Sequence, residues 1–224
     1  MTAQTHTRAR KPAPELAYNQ YGQKIGSKGE RTRQLLIDTT VELLESHGLR
    51  DVSVVDVARA ASTSPATFYV YFKGVPEVVL AALDNASQTS AELEALAARD
   101  WLDGTGAEAA RRFVDAYTQL WNRNRTIFRV RNLAAEEGDE RFYRARMAAA
   151  APMMDALTAA AARAQAAGRV PAELSPRACA GTMLMMLERL SAIGPITVEG
   201  DGLGYAPLKA AAAHTLAAML GATA

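Results

Sequence analysis

The chain has 224 residues, 49% of them hydrophobic, with 25 Lys and Arg against 24 Asp and Glu and a formal net charge of +1. That length allows one domain or two small ones, and that apolar content excludes wholesale disorder. A lone Cys179 cannot form an internal bridge, which fits a reducing compartment, and no stretch approaches the ~18 consecutive apolar residues of a membrane span.

Met1 to Lys11 is rich in Thr and Arg and lacks an apolar segment, so no secretory signal is read there and a cytoplasmic protein with no membrane partner is expected. Residues 1–27 carry Pro12, Pro14, Gly22 and Gly26 without apolar periodicity, the pattern of a basic flexible arm. Near-neutrality overall disfavours a nucleic-acid partner only until the charge is located. Residues 1–33 hold seven basic residues, among them Lys28 and Arg31, against two acidic ones. Residues 1–73 hold ten against seven, a net of +3, and the remainder holds 15 against 17, a net of −2. Such asymmetry suits a polyanion at one end of the molecule, and a solvated tail accounts for it equally well.

From Lys28 the texture turns helical. Leu35, Leu36, Thr39, Thr40, Leu43 and Leu44 recur at helical spacing, with Gly48 placed to end the helix. Residues 53–72 then read as two short helices. Ser53 with Asp56 three later forms a capping-box pattern, and Val54, Val57, Ala58 and Ala61 share one apolar face. Ser64 caps a second helix that has Pro65 at its first position. Two short helices joined by a tight turn form a helix-turn-helix, whose second member can enter a major groove. Ser64, Pro65, Ala66 and Thr67 leave backbone and hydroxyls able to approach base edges, while Tyr69 and Tyr71 can reach phosphates. Phe68 and Phe72, four apart, read as core.

Glu77 to about Ala98 reads as one longer helix with Pro76 at its first position, followed by a break over Trp101–Gly106. Further helices are predicted over Glu108–Asn122, Arg125–Glu136, Asp139–Ala167 (bent at Pro152, closed by Gly168), Ser175–Ile193 and Pro207–Leu220, with a Gly-rich loop from Gly194 to Ala206. No strand alternation or internal repeat is visible, so the chain is read as all-α.

The order of a helix ending at Gly48, then Ser53-x-x-x-Val57-Ala58-x-x-Ala61-x-x-Ser64-x-x-Thr67-Phe68-Tyr69-x-Tyr71-Phe72, resembles the TetR family of bacterial transcriptional regulators. The resemblance covers about residues 30–80. It implies an N-terminal three-helix DNA-binding domain on a larger helical ligand-binding and dimerisation domain, here 28–74 and 75–224. It further implies a homodimer on a near-palindromic double-stranded DNA operator, acting as a repressor released or reset by a small molecule. Two positions depart from the family pattern: Ser62 stands where a Gly is usual in the turn, and Val75 where a Lys usually meets a phosphate. Lys73 is the nearest substitute, and Ser53 opens a first helix without a polar reader near its start.

In the body, Phe113, Tyr117 and Trp121 lie four apart on one helix face, joined by Phe128, Met153, Met154, Met183, Met185 and Met186. These positions suit a plain core or a pocket for an apolar or weakly polar effector, with Met adaptable to varied shapes. Arg125, Arg129 and Arg131 fit an anionic ligand or a surface stripe. Met183–Leu187 is apolar all round, and Leu208, Ala212, Leu216 and Met219 or Leu220 form a seam. The last two helices are therefore expected to pair with their mates in the homodimer. His6, His47, His214 and Cys179 show no metal-ligand spacing, and no phosphate loop is present. No enzyme activity, metal or cofactor is expected; a helical binding or scaffold protein without DNA affinity is the alternative function.

Overall fold

The computed structural model describes residues 21–87, 91–194 and 204–222. Within them the chain forms ten α-helices and no β-strand: α1 (Ser27–Leu44), α2 (Val54–Ala60), α3 (Pro65–Tyr71), α4 (Val75–Ser87), α5 (Ala91–Ala98), α6 (Gly106–Arg123), α7 (Arg125–Glu136), α8 (Glu140–Ala166), α9 (Pro176–Ile193) and α10 (Tyr205–Met219). Most of the predicted arm, residues 1–20, lies outside the described residues, as does 195–203 of the predicted Gly-rich loop.

Helix starts follow local chemistry. The Ser53 hydroxyl accepts from the Asp56 N–H and the Asp56 carboxylate accepts from the Ser53 N–H, completing the capping box on α2. Ser64 caps α3 and Ser175 caps α9, each followed by a Pro at the first helical position. Asp139 caps α8, which continues through Pro152.

Helix ends separate what the sequence signals from what it conceals. After α2 the Ser62 N–H donates to the Arg59 carbonyl and the Thr63 N–H to the Ala58 carbonyl, with Ser62 at φ 51°. This is the Schellman pattern with a serine in the left-handed position. The same pairing closes α8 at Gly168, as predicted, where φ is 68°. Gly48 does not play this part. α1 stops at Leu44, and its last carbonyls are met by the N–H groups of Glu45, Ser46 and His47 and by the His47 Nδ1, 2.9 Å from the Leu43 carbonyl. A left-handed residue is then unnecessary. Within the stretch predicted as one helix from Glu77 to Ala98, the described residues form α4 and α5, with 88–90 outside them, and α4 begins at Val75, so Pro76 is its second residue.

The N-terminal helices pack as a head in which α1 lies against α2 and α4, and α2 against α3. Its core is Leu36, Leu44, Val57, Phe68, Phe72, Val78 and Val79, and the Thr40 hydroxyl is satisfied by the Leu36 carbonyl. In the body, α8 runs along α9 and α6 along α10, with α5 and α7 packed on α8. α4 touches α1 on one side and α7 and α8 on the other, so the two cores form one continuous cluster.

A non-glycine residue in the left-handed region costs about 1–2 kcal/mol, partly offset by the extra unfolded-state freedom of glycine. Ser62→Gly is therefore expected to stabilise the protein by up to about 1 kcal/mol in urea titration, and Ser62→Val to destabilise it by about the same amount.

Candidate nucleic-acid interface

α3 has only seven residues, too few to be stable alone, and its place is set from below. Phe68 and Phe72 are fully buried with ring centroids 5.8 Å apart, and the Arg33 guanidinium of α1 lies 5.2 Å from the Phe72 ring centre. With these two positions turned inward, Pro65, Ala66, Tyr69 and Val70 form the outward stripe, and all four are exposed. Tyr69 stacks edge-on against Phe68 and keeps 46% of its surface open.

The polar groups predicted to face bases are largely occupied within the protein. The Ser64 hydroxyl accepts from the Thr67 N–H at 3.1 Å and lies 3.0 Å from the Thr67 hydroxyl. Ser53 is committed to Asp56, whose carboxyl is held below the usual range by hydrogen bonds from the Ser53 hydroxyl and backbone N–H. The hydroxyls of Ser53, Ser64 and Thr67 thus serve the helix starts, a consequence of the capping that the sequence itself signals.

Tyr71 is half-buried rather than outward. A Cβ placed on Gly29 would stand 3.3 Å from its hydroxyl, so Tyr71 crosses to the first turn of α1. That contact brings the exposed Lys28 and Arg31 turn of α1 beside the end of α3. Lys73 follows α3 with its side chain exposed, while its backbone N–H donates to the Glu77 carboxylate. Val75 is buried (5% exposed), so this departure from the family pattern serves the core.

In the body, Phe113, Tyr117, Trp121, Phe128, Met153 and Met183 are all buried, and Met154 and Met186 are half-buried. Among them lies a polar centre that sequence reasoning missed. Glu188 of α9 accepts from the Tyr117 hydroxyl at 2.9 Å, from Arg131 Nη2 at 2.6 Å and from Asn132 Nδ2 at 2.9 Å. The Arg131 guanidinium also stacks 4.7 Å from the Phe128 ring centre. Burial raises the Glu188 carboxyl, but Arg131 and the hydrogen bonds from Asn132 and Tyr117 outweigh it and leave it below the usual range. Burial, with the Glu188 charge beside it, pushes the Tyr117 hydroxyl well up. The only hint in the sequence is that Arg131 falls on the buried face of α7 while Glu188 follows the apolar run of α9.

The three arginines of α7 therefore do three different things. Arg131 is buried, Arg129 is exposed, and Arg125 donates to the carbonyls of Ser191 (2.8 Å) and Ala192 (3.0 Å) at the end of α9, over the Trp121 ring. Beside it Trp121 Nε1, Ser191 Oγ and the Tyr205 hydroxyl are buried with no hydrogen-bond partner among the described residues. A cleft of about 520 Å³ opens between the end of α1 and α7, lined by His47, Asp51, Arg129 and Leu133, and the Arg50–Glu137 ion pair (2.9 Å) lies at it.

Removing one partner of a buried ion pair strands the other, at a cost of about 3–5 kcal/mol, whereas replacing both with apolar groups costs far less. Glu188→Ala is expected to lose stability on that scale in denaturant titration, and the Arg131→Met/Glu188→Leu double variant to recover most of it. Because the folded protein holds the Glu188 carboxyl low, the pair's contribution is complete at neutral pH and is lost as acidification passes through and below the ordinary carboxylate range. Glu188→Gln should flatten that part of the stability–pH curve.

Residues 36–82 match the family of bacterial regulatory proteins, tetR family, and residues 93–224 match the tetracyclin repressor-like C-terminal domain. Comparison with curated proteins gave no match. Among solved structures, the fatty acid degradation regulator FadR from Bacillus halodurans is 16% identical, covers 89% of this chain and 97% of its own, and superposes with a TM-score of 0.63. A TetR-family regulator from Rhodococcus sp. is 18% identical over 85% of this chain and 99% of its own, with a TM-score of 0.65. PfmR from Thermus thermophilus is 19% identical over 81% and 96%, with a TM-score of 0.62. At these identities the likeness carries the fold alone, while the two matched families together span the helix-turn-helix and more than half of the chain. The protein belongs to the TetR family of bacterial transcriptional regulators, with an N-terminal helix-turn-helix domain and a C-terminal helical domain.

Proposed function

We propose that this DNA-binding regulator acts as a homodimeric repressor whose operator affinity is set by a small, mainly apolar effector. The observation that carries the reading is α3 itself: a capped helix pinned by Phe68 and Phe72, its opposite stripe left open beside Lys28, Arg31 and Lys73. Residues 28–74 form the reading head, 75–224 the effector-binding and dimerisation unit, and 1–27 a basic arm that adds phosphate contacts. Ser64, Pro65, Ala66 and Thr67 approach the bases, with Tyr69, Tyr71, Lys73, Lys28 and Arg31 on the backbone and Ser53 fixing α2. The test is anisotropy titration of the whole chain with duplex DNA at two salt concentrations. Binding should weaken steeply with salt, and Lys73→Ala should lower the log–log slope by about 1.8, the loss of one phosphate contact from each protomer. A chain with no salt-dependent affinity is a scaffold instead.

The effector reading rests on Phe113, Tyr117, Trp121, Phe128, Met153, Met154, Met183 and Met186 of α6, α7, α8 and α9, all of which belong to the buried cluster or pack against it. The Trp121, Ser191 and Tyr205 atoms, without a partner among the described residues, offer a mainly apolar molecule somewhere to place an oxygen or nitrogen. Because α4 packs on α1 and on α7 and α8, a ligand that parts the body helices tilts the link to the head. It shifts operator affinity only by its differential affinity for the two arrangements. A ligand bound tightly with operator affinity unmoved would contradict this reading.

The dimer surface is assigned to the outward faces of α9 and α10. Ala212, Leu216 and Leu220 of the predicted seam are buried within the protomer, which leaves Met185, 65% exposed, as the large apolar side chain on the open face of α9. Sedimentation at micromolar concentration should show a dimer, and Met185→Arg should shift it toward monomer.

A further inference from the structure

We propose that α3 selects its half-site through the C5-methyl groups of thymines rather than through hydrogen-bonding side chains. The inference rests on the DNA-reading function above and concerns what is read. α3, Pro-Ala-Thr-Phe-Tyr-Val-Tyr, contains no Arg, Lys, Asn, Gln, Asp or Glu, the side chains that make paired hydrogen bonds to base edges. Across residues 53–72 the only such groups are Asp56 and Arg59, and they face each other on α2 at 3.4 Å. The hydroxyls of Ser64 and Thr67 are engaged with each other and with the Thr67 N–H.

What remains outward is apolar: Pro65, Ala66, Val70 (37% exposed) and the ring of Tyr69 (46% exposed). Set into a major groove, this stripe covers base edges. Where it covers guanine, adenine or cytosine it removes water from donors and acceptors and returns no hydrogen bond, which is costly. A thymine methyl is the one major-groove feature that gains from apolar cover. Ala66 and Val70 are one helical turn apart, about 6 Å along the axis, close to two base steps. They are the specificity-determining pair, and the Tyr69 ring closes the flank with its hydroxyl toward a phosphate.

The experiment uses the full chain and a random-sequence duplex pool to enrich a binding site, then measures affinity for that duplex with deoxyuridine replacing thymidine one position at a time. Deoxyuridine keeps the base pairing and removes only the methyl. The expected result is a loss of about fourfold at each of one or two thymines per half-site, the worth of one buried methyl. Val70→Ala, a change at an exposed position, should abolish the sensitivity at one thymine and leave the other. Enriched half-sites fixed by G·C pairs and indifferent to deoxyuridine would overturn this inference while leaving the DNA-binding function intact. Failure to enrich any sequence, with no salt-dependent binding, would overturn both.

Discussion

Burial of Phe68 and Phe72 is the constraint on which the reading head depends. A seven-residue helix forms one or two turns of hydrogen bonds, and nucleation alone outweighs that gain in water. α3 persists because two aromatic rings, each able to contribute a few kcal/mol on burial, are buried in the core that it shares with α1, α2 and α4. The same two positions decide which stripe faces outward, since residues four apart share a side. The Ser64 cap and the Ser62 turn refine this arrangement; neither could replace the rings. Val75 belongs to the same core, which explains why an apolar side chain stands where the family usually places a lysine.

A different kind of constraint organises the body. Alanine-rich helices such as α8 pack closely but specify register weakly, because many small side chains interlock in several ways. The Tyr117–Glu188–Arg131–Asn132 centre ties α6, α7 and α9 together through atoms that must meet at hydrogen-bond distance. Sliding α7 or α9 would strand a buried charge, and sliding α6 would leave the buried Tyr117 hydroxyl without its acceptor. Arg125 acts similarly at the end of α9, where a cation near the last carbonyls also complements the helix dipole. Such a centre gives the body a discrete arrangement, and an effector needs one to act upon.

How much of this was legible follows from the range of each interaction. Caps act within three residues, so Ser53, Ser64, Asp139 and Ser175 mark helix starts that the structure keeps. The all-α fold and the inward turn of Phe68 and Phe72 follow from periodicity alone. Gly48 misled because a glycine near a helix end is a common signal, while the closure used here runs through the side chain of His47. The Glu188 centre was beyond reach because its partners stand 56 to 71 positions away, and nothing local distinguishes a buried Arg131 from an exposed Arg129. The half-burial of Tyr71 is hidden for the same reason: its hydroxyl lies beside Gly29 in the first turn of α1, far away along the chain.

The near-neutral total charge also acquires a structural meaning. Basic residues gather in the first 33 positions, and Lys73 stands at the end of α3, while the outward stripe of α3 carries no charge at all. Charge placed on the rim of a DNA-binding surface supplies affinity and orientation, both largely indifferent to sequence. An uncharged stripe at the centre supplies selectivity by refusing polar base edges. Separating the two tasks explains how so few basic residues suffice. Those at the edges need only hold the head on the duplex, because discrimination at the centre is left to an uncharged, largely apolar stripe.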